Sequence, residues 1–169
     1  GVSLPFSDFA EPLWTDVRQA PLVYRALLEL ASAQKWKYLE IRGGNIPPAA
    51  AKPSQIYESH HLDLSQGIES IRENLDPSVR QAIRKAERSG IQVSVERSLE
   101  AMDAFYKLHE RTRRRHGLPP QPVRFFRSIA RNLVGAGSGS IVLAKLGDIT
   151  VAGAVFLLSA GRAIYKFGA

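Results

Sequence analysis

The end of the chain constrains the fold most. Ile141 to Leu146 and Ile149 to Leu158 are two apolar runs joined by Gly147-Asp148, a two-residue connection of the kind that closes a hairpin. Ser159-Ala160-Gly161 then turns the chain into Arg162 to Phe167. Strands joined by such short turns pair antiparallel, because a parallel pair needs a crossover of a dozen or more residues. A sheet with at least three antiparallel strands is therefore expected, and the upstream sequence has to supply what covers it.

That upstream sequence reads mostly as helices. Asp76-Pro77 is a cap followed by a first-turn proline, with Val79, Ala82, Ile83 and Ala86 as an apolar stripe and Gly90 as the stop. Ile91, Val93 and Val95 alternate as a strand. Ser98 caps a long helix with Leu99, Met102, Phe105 and Leu108 inward, and Gly117-Leu118-Pro119-Pro120 breaks it. Val123 to Leu133 is a further helix, and Gly135, Gly137 and Gly139 open a loop. Earlier, Ser65 is expected to cap a short helix with Ile68, Ile71 and Leu75 inside.

The first third is punctuated by prolines. A short strand and a loop precede Pro21, and Val23, Ala26, Leu27, Leu30 and Ala31 then recur at helical spacing, so a helix is expected from Pro21 to about Lys35. Lys37 to Ile41 reads as a strand ended by Gly43-Gly44, and 45–53 as a loop. Ser54 to Leu64 (Ile56, Glu58, His60, Leu62) reads as a half-buried strand. The order of elements predicts an α+β domain with a largely antiparallel sheet flanked by helices.

Composition excludes several classes. Without cysteine there is no disulfide framework, zinc ribbon or thiol nucleophile. No apolar run approaches the ~20 residues of a membrane-spanning helix, and the start has no basic region of a signal peptide, so a soluble, cytoplasmic protein is expected. Lys+Arg outnumber Asp+Glu by 23 to 16, which favours anionic partners: nucleic acid, phosphorylated cofactors or a membrane surface met peripherally.

The segment Leu75 to Ala169 resembles the Fem-type and related GNAT-like acyltransferases. The residues that carry the resemblance are Val79-Arg80-Gln81-Ala82-Ile83-Arg84-Lys85-Ala86-Glu87-Arg88-Ser89-Gly90-Ile91, a helix entering a strand. The later helix Phe105 to Thr112 and the strand Val151 to Phe156 follow in the family's order. Ser3 to Phe9 resembles the middle of such proteins, where a first GNAT-like half ends. The resemblance implies parts of two tandem halves: residues 1–64 as the back of the first and 65–169 as the front of the second. It also implies that the helix whose N-terminus would receive the cofactor pyrophosphate lies beyond Ala169. With no initiator methionine at the start and a strand at the end, a chain incomplete at both ends is expected.

The implied activity is transfer of an acyl group from acyl-coenzyme A, or of an aminoacyl group from aminoacyl-tRNA, to an amine acceptor such as a bacterial cell-wall or envelope precursor. Such chemistry rests on positioning and on backbone donors to the oxyanion, without a conspicuous triad and without metal. Arg80, Arg84 and Arg88, with Lys85 beside them, fall at helical spacing as a ridge that could grip phosphates of donor or tRNA; a solvated helix face is the plain alternative. Asp8, in a loop that resembles a substrate-facing loop of the family, is a base or anchor, or else a turn cap. His60 or His61 is a general base, since histidine titrates near neutrality, or else a structural histidine. No accompanying ligands make a metal site. Tyr165 and Lys166 could line the cleft, and strict alternation would admit only one of them. Arg111, Arg113, Arg114, Arg115 and His116 suit a helix C-terminus; with Arg124, Arg127 and Arg131 they could make one basic surface. A second reading follows from that surface: a non-catalytic basic domain that binds nucleic acid or another anionic polymer.

Overall fold

A computed structural model describes Val2, Ala10, Pro12, Leu13, residues 15–43 and residues 52–169. The chain divides into two compact units, Gly1–Leu62 and Asp63–Ala169.

Among the described residues the first unit carries the 3-10 turn Val17–Gln19, capped by Asp16, and helix α1, Ala20–Ala33. The buried residues of α1 are Ala20 and Tyr24, while Val23 and Leu30 lie exposed. The inner face is thus rotated from the one that the leucines and Val23 suggest. The strand expected over Lys37 to Ile41 is reduced to one isolated parallel bridge between Glu40 and Val2. The strand expected over Ser54 to Leu64 does not form: the segment has no regular structure, and Ile56 and Tyr57 are 82% and 80% exposed. The reason is visible in the spacing. Residues two apart share a face, so Ile56 and Leu62 would lie on the same side as Glu58 and His60, and neither face would be apolar.

The second unit holds the α+β fold. Helix α2, Ile68–Glu73, begins after Gly67 at φ 80, so Gly67 and not Ser65 stands at its cap. The Ser65 amide instead donates to Asp63 Oδ1 at 2.9 Å. Helix α3, Pro77–Arg88, starts as the sequence dictates: the Asp76 carboxylate accepts from the Ser78 amide at 2.8 Å and Pro77 takes the first turn. The Ser78 hydroxyl, followed by that amide bond, holds the Asp76 carboxyl below its ordinary pKa. Gly90, at φ 78, ends the helix in the left-handed region that glycine alone enters without cost. The apolar stripe of α3 is not covered: Val79 and Ile83 remain exposed.

Strand β1, Ile91–Glu96, leads to helix α4, Leu99–Arg115, where Ser98 Oγ accepts from the Ala101 amide at 3.1 Å. Helix α5, Val123–Ile129, runs into one π-helical turn, Ala130–Val134, so the single helix expected there changes its winding before Gly135. Strands β2 (Gly139–Leu146), β3 (Ile149–Ser159) and β4 (Arg162–Gly168) complete a four-stranded antiparallel sheet in the order β1-β2-β3-β4.

One face of this sheet meets α4, α5 and the π turn. Met102 and Phe105 of α4, Phe126 of α5, Val134, Ile141, Leu143 and Val155 are the large side chains sealed there. Each contributes on the order of 1.5–3 kcal/mol by leaving water. Gly153 on β3 permits the close approach: a β-carbon there would lie 2.9 Å from Phe105 Cδ2 and 3.1 Å from Leu143 Cδ2. Paired residues on neighbouring strands share a face, so Val93 with Ala144, and Val95 with Val142, occupy the opposite face. Val93 and Val95 are 67% and 68% exposed.

Candidate active site

Two bulges decide which side chains reach which face. Between β3 and β4, Val155 pairs with Phe167 but Phe156 pairs with Tyr165, leaving Lys166 as the extra residue. Without the bulge, Tyr165 and Phe167 would share a face. With it, Phe167 joins the core side with Val155, and Tyr165 turns to the other side with Phe156. Bulges commonly re-aim a side chain in this way. Strict alternation therefore does not hold across 165–167, and the rule that admits only one of Tyr165 and Lys166 falls with it. The Tyr165 ring is 62% exposed and packs on Phe156 at 5.5 Å between centroids. Its hydroxyl occupies the space that a β-carbon at Gly168 would need. Phe156, Tyr165 and the bare backbone at Gly168 thus form a pre-shaped patch with one phenolic hydroxyl.

The basic ridge sits on α3. Arg80, Arg84 and Arg88 share one side of the helix and, with Pro77, Gln81 and Glu87, line an open groove of about 660 Å³. Lys85 does not line it. Arg80 Nη1 donates to the Glu73 carbonyl at 3.0 Å, so it ties the end of α2 to α3, and Arg88 Nε donates to the Arg84 carbonyl at 3.3 Å. Among the described residues Arg84 and Lys85 make no ion pair.

The other candidate catalytic residues singled out in the sequence belong to the first unit or fall outside the described residues. His60 is exposed in the irregular segment of the first unit, not on a strand. His61 Nε2 is 3.1 Å from Ser59 Oγ. Asp8 falls outside the described residues. No group of three or more His, Asp or Glu among the described residues could hold a metal ion, and no described helix is long and apolar enough to cross a membrane.

The structure adds a histidine that the sequence reading passed over. His109 is only 5% exposed, one turn after Phe105 on the inner face of α4, with rings of Phe105, Tyr106, Phe126 and Phe167 around it. Its Nε2 is 2.8 Å from Gln121 Oε1, while Nδ1 is buried without a partner. With the Gln121 amide oxygen as acceptor, the fitting tautomer carries its proton on Nε2 and leaves Nδ1 as the bare nitrogen. Burial, followed by the neighbouring Arg113 charge, pushes the His109 pKa down, and the bond to Gln121 opposes that only in part. The Tyr106 hydroxyl donates to the Gln121 carbonyl at 3.0 Å, and Arg113 Nε donates to the Pro119 carbonyl at 3.2 Å. Three residues of one α4 face therefore hold the α4–α5 loop. The spacing Met102, Phe105, His109 was the available signal: it continues the core stripe. Asp103 and Arg127 complete the α4–α5 contact with two parallel bonds of 2.9 and 3.0 Å, which hold the Asp103 carboxyl below its ordinary pKa.

This arrangement, a strand, two helices and a three-strand antiparallel meander, is the part of the chain in which known sequences find a counterpart. Residues 75–169 match the family model described as an acetyltransferase (GNAT) domain, more than half of the 169-residue chain. No curated protein matches the chain. GNAT domains take acyl-coenzyme A as donor and an amine as acceptor, which places the activity among N-acyltransferases. From β1 through β4, with α4 and α5 packed on one face, this chain belongs to the GNAT acetyltransferase family.

Proposed function

We propose that the protein is a Fem-type member of this class, which transfers an acyl or aminoacyl group to the amine of a cell-wall or envelope precursor. The observation that carries the reading is the family match over residues 75–169, whose first helix after Leu75 is the arginine ridge. Arg84, Arg88 and Arg80 face one open groove, and guanidinium groups bind phosphate oxygens through paired hydrogen bonds. On this reading they grip the phosphates of the donor, acyl-coenzyme A or aminoacyl-tRNA, and Lys85 adds long-range attraction. Residues 1–64 and 65–169 then derive from two tandem GNAT-like halves.

The reaction needs an unprotonated amine beside an activated carbonyl. The amine nitrogen attacks the carbonyl carbon, the oxyanion is met by N–H donors, and the leaving thiolate or ribose oxygen takes up a proton. The Tyr165 hydroxyl, on a patch set by the bulge at Lys166, is a donor of that proton. Asp8 and His60 are the residues offered to remove the proton of the amine.

The discriminating experiment titrates the full chain with acetyl-coenzyme A, with aminoacyl-tRNA and with uncharged tRNA across a salt series. Preference for charged over uncharged tRNA supports the Fem-type reading, and saturable coenzyme binding alone supports a coenzyme-dependent N-acetyltransferase. Binding to tRNA that ignores charging and falls steeply with salt would replace both with a basic nucleic-acid module.

A further inference from the structure

Away from the α3 ridge, α4 and the start of β3 enclose a second basic groove. Ala104, Lys107, Leu108 and Arg111 of α4 and Thr150 of β3 line a space of about 230 Å³. Lys107 and Arg111 are four residues apart, so their side chains leave the same helix face one turn from each other and repel. A helix ordinarily answers such a pair with a carboxylate one turn away, and here those carboxylates are engaged. Asp103, one turn before Lys107, is held by Arg127 through both oxygens and feels the Lys107 charge only at longer range, without an ion pair. Glu110 faces Arg114 at 3.7 Å. Among the described residues neither Lys107 nor Arg111 makes an ion pair, and Asp148, in the β2–β3 turn, pairs with neither. Thr150 is the cross-strand partner of Lys145, which brings a third cation to the same face of the sheet. The bulge that leaves Val151 unpaired sets this register.

The geometry points to a binding site for a phosphate group, free or as a phosphomonoester with a small apolar body, separate from the phosphates of the acyl donor. A dianion answers two adjacent cations where chloride answers one. The Thr150 hydroxyl is a neutral donor to a phosphate oxygen. Ala104 and Leu108 give the groove an apolar lining beside its charges, which suits a ligand with a carbon body over a bare ion. The site rests on α4 and β3, with Lys145 of β2 beside them, and does not depend on the role of the α3 ridge.

The test follows backbone amide resonances of the full chain during titration with inorganic phosphate and with ethyl phosphate, at ionic strength held constant with sodium chloride. The expected result is a saturable shift of the Thr150 and Lys107–Arg111 amides. A Lys107→Gln/Arg111→Gln variant weakens it at least tenfold. An Arg115→Gln/Arg162→Gln variant, which removes the same charge elsewhere, leaves it intact. Shifts that never saturate, shifts that survive in the Lys107→Gln/Arg111→Gln variant, or competitive displacement of phosphate by acetyl-coenzyme A would each overturn the proposal.

Discussion

The contact between α4 and the sheet turns on Gly153, and replacing it with alanine tests that packing. The added methyl carbon would sit 2.9 Å from Phe105 Cδ2 and 3.1 Å from Leu143 Cδ2, where ordinary contacts begin at 3.4 Å. Neither neighbour has room to retreat, since both are sealed in the core and Phe105 is stacked on His109 and tilted against Phe126. Overpacking of this kind costs about 1–3 kcal/mol. The alanine returns about 0.4–1 kcal/mol by restricting the unfolded chain, because Gly153 is not at positive φ. The expected net loss is up to about 2.6 kcal/mol and centres at about 1.3 kcal/mol, or roughly 5–10 °C in Tm at that centre for a unit of this size. Urea denaturation followed by circular dichroism reads it as a lower midpoint with unchanged slope. Gly168→Ala is the internal control. Its methyl meets only the tip of the Tyr165 ring, which is exposed and can swing aside, so the change should stay within about 0.5 kcal/mol. A Gly153→Ala protein as stable as the parent, or a Gly168→Ala protein that is the weaker of the two, would refute the assignment of the two faces.

Three further outcomes follow from the same contacts. His109 has a folded pKa below its unfolded value of about 6.5, so the unfolded chain binds the extra proton. Stability is then full above about pH 6.5 and falls as pH drops toward the folded value; His109→Gln should flatten that slope in denaturation midpoints taken at pH 7.5, 6.5 and 5.5. Asp103 has the same sign in a more acidic window: its lowered carboxyl contributes stability above its unfolded pKa of about 3.9, lost as pH falls through the folded value. Asp103→Asn should lower Tm slightly at pH 7 and remove that acid-side dependence, an effect kept small by the exposure of the pair. Replacing Arg80, Arg84 and Arg88 with glutamine should weaken donor binding and lower its salt slope by about one per lost phosphate contact; unchanged affinity with an unchanged slope would return the ridge to a solvated helix face.

Legibility in the sequence followed the range of the interactions. Asp76-Pro77, Gly90 and Ser98 act within three residues of themselves, and each stands where the sequence puts it. The hairpin at Gly147-Asp148 is likewise local. The strand expected over Ser54 to Leu64 needed a partner that no local pattern can supply, and its one-sided mix of Ile56, Glu58, His60 and Leu62 gave no apolar face. The bulge at Lys166, which sends Tyr165 to one side and Phe167 to the other, depends on register with β3 and has no mark in the residues of β4. The His109–Gln121 and Asp103–Arg127 contacts bridge 12 and 24 positions. Of these only His109 left a trace, as the continuation of the Met102–Phe105 stripe.

Use of an acyl-coenzyme A donor is tested by a calorimetric titration of the full chain with acetyl-coenzyme A at low salt. The expected result is saturable binding at one site, weakened in the Arg80→Gln/Arg84→Gln/Arg88→Gln variant. Heats no larger than dilution for acetyl-coenzyme A, beside tight and salt-sensitive binding of uncharged tRNA, would contradict it.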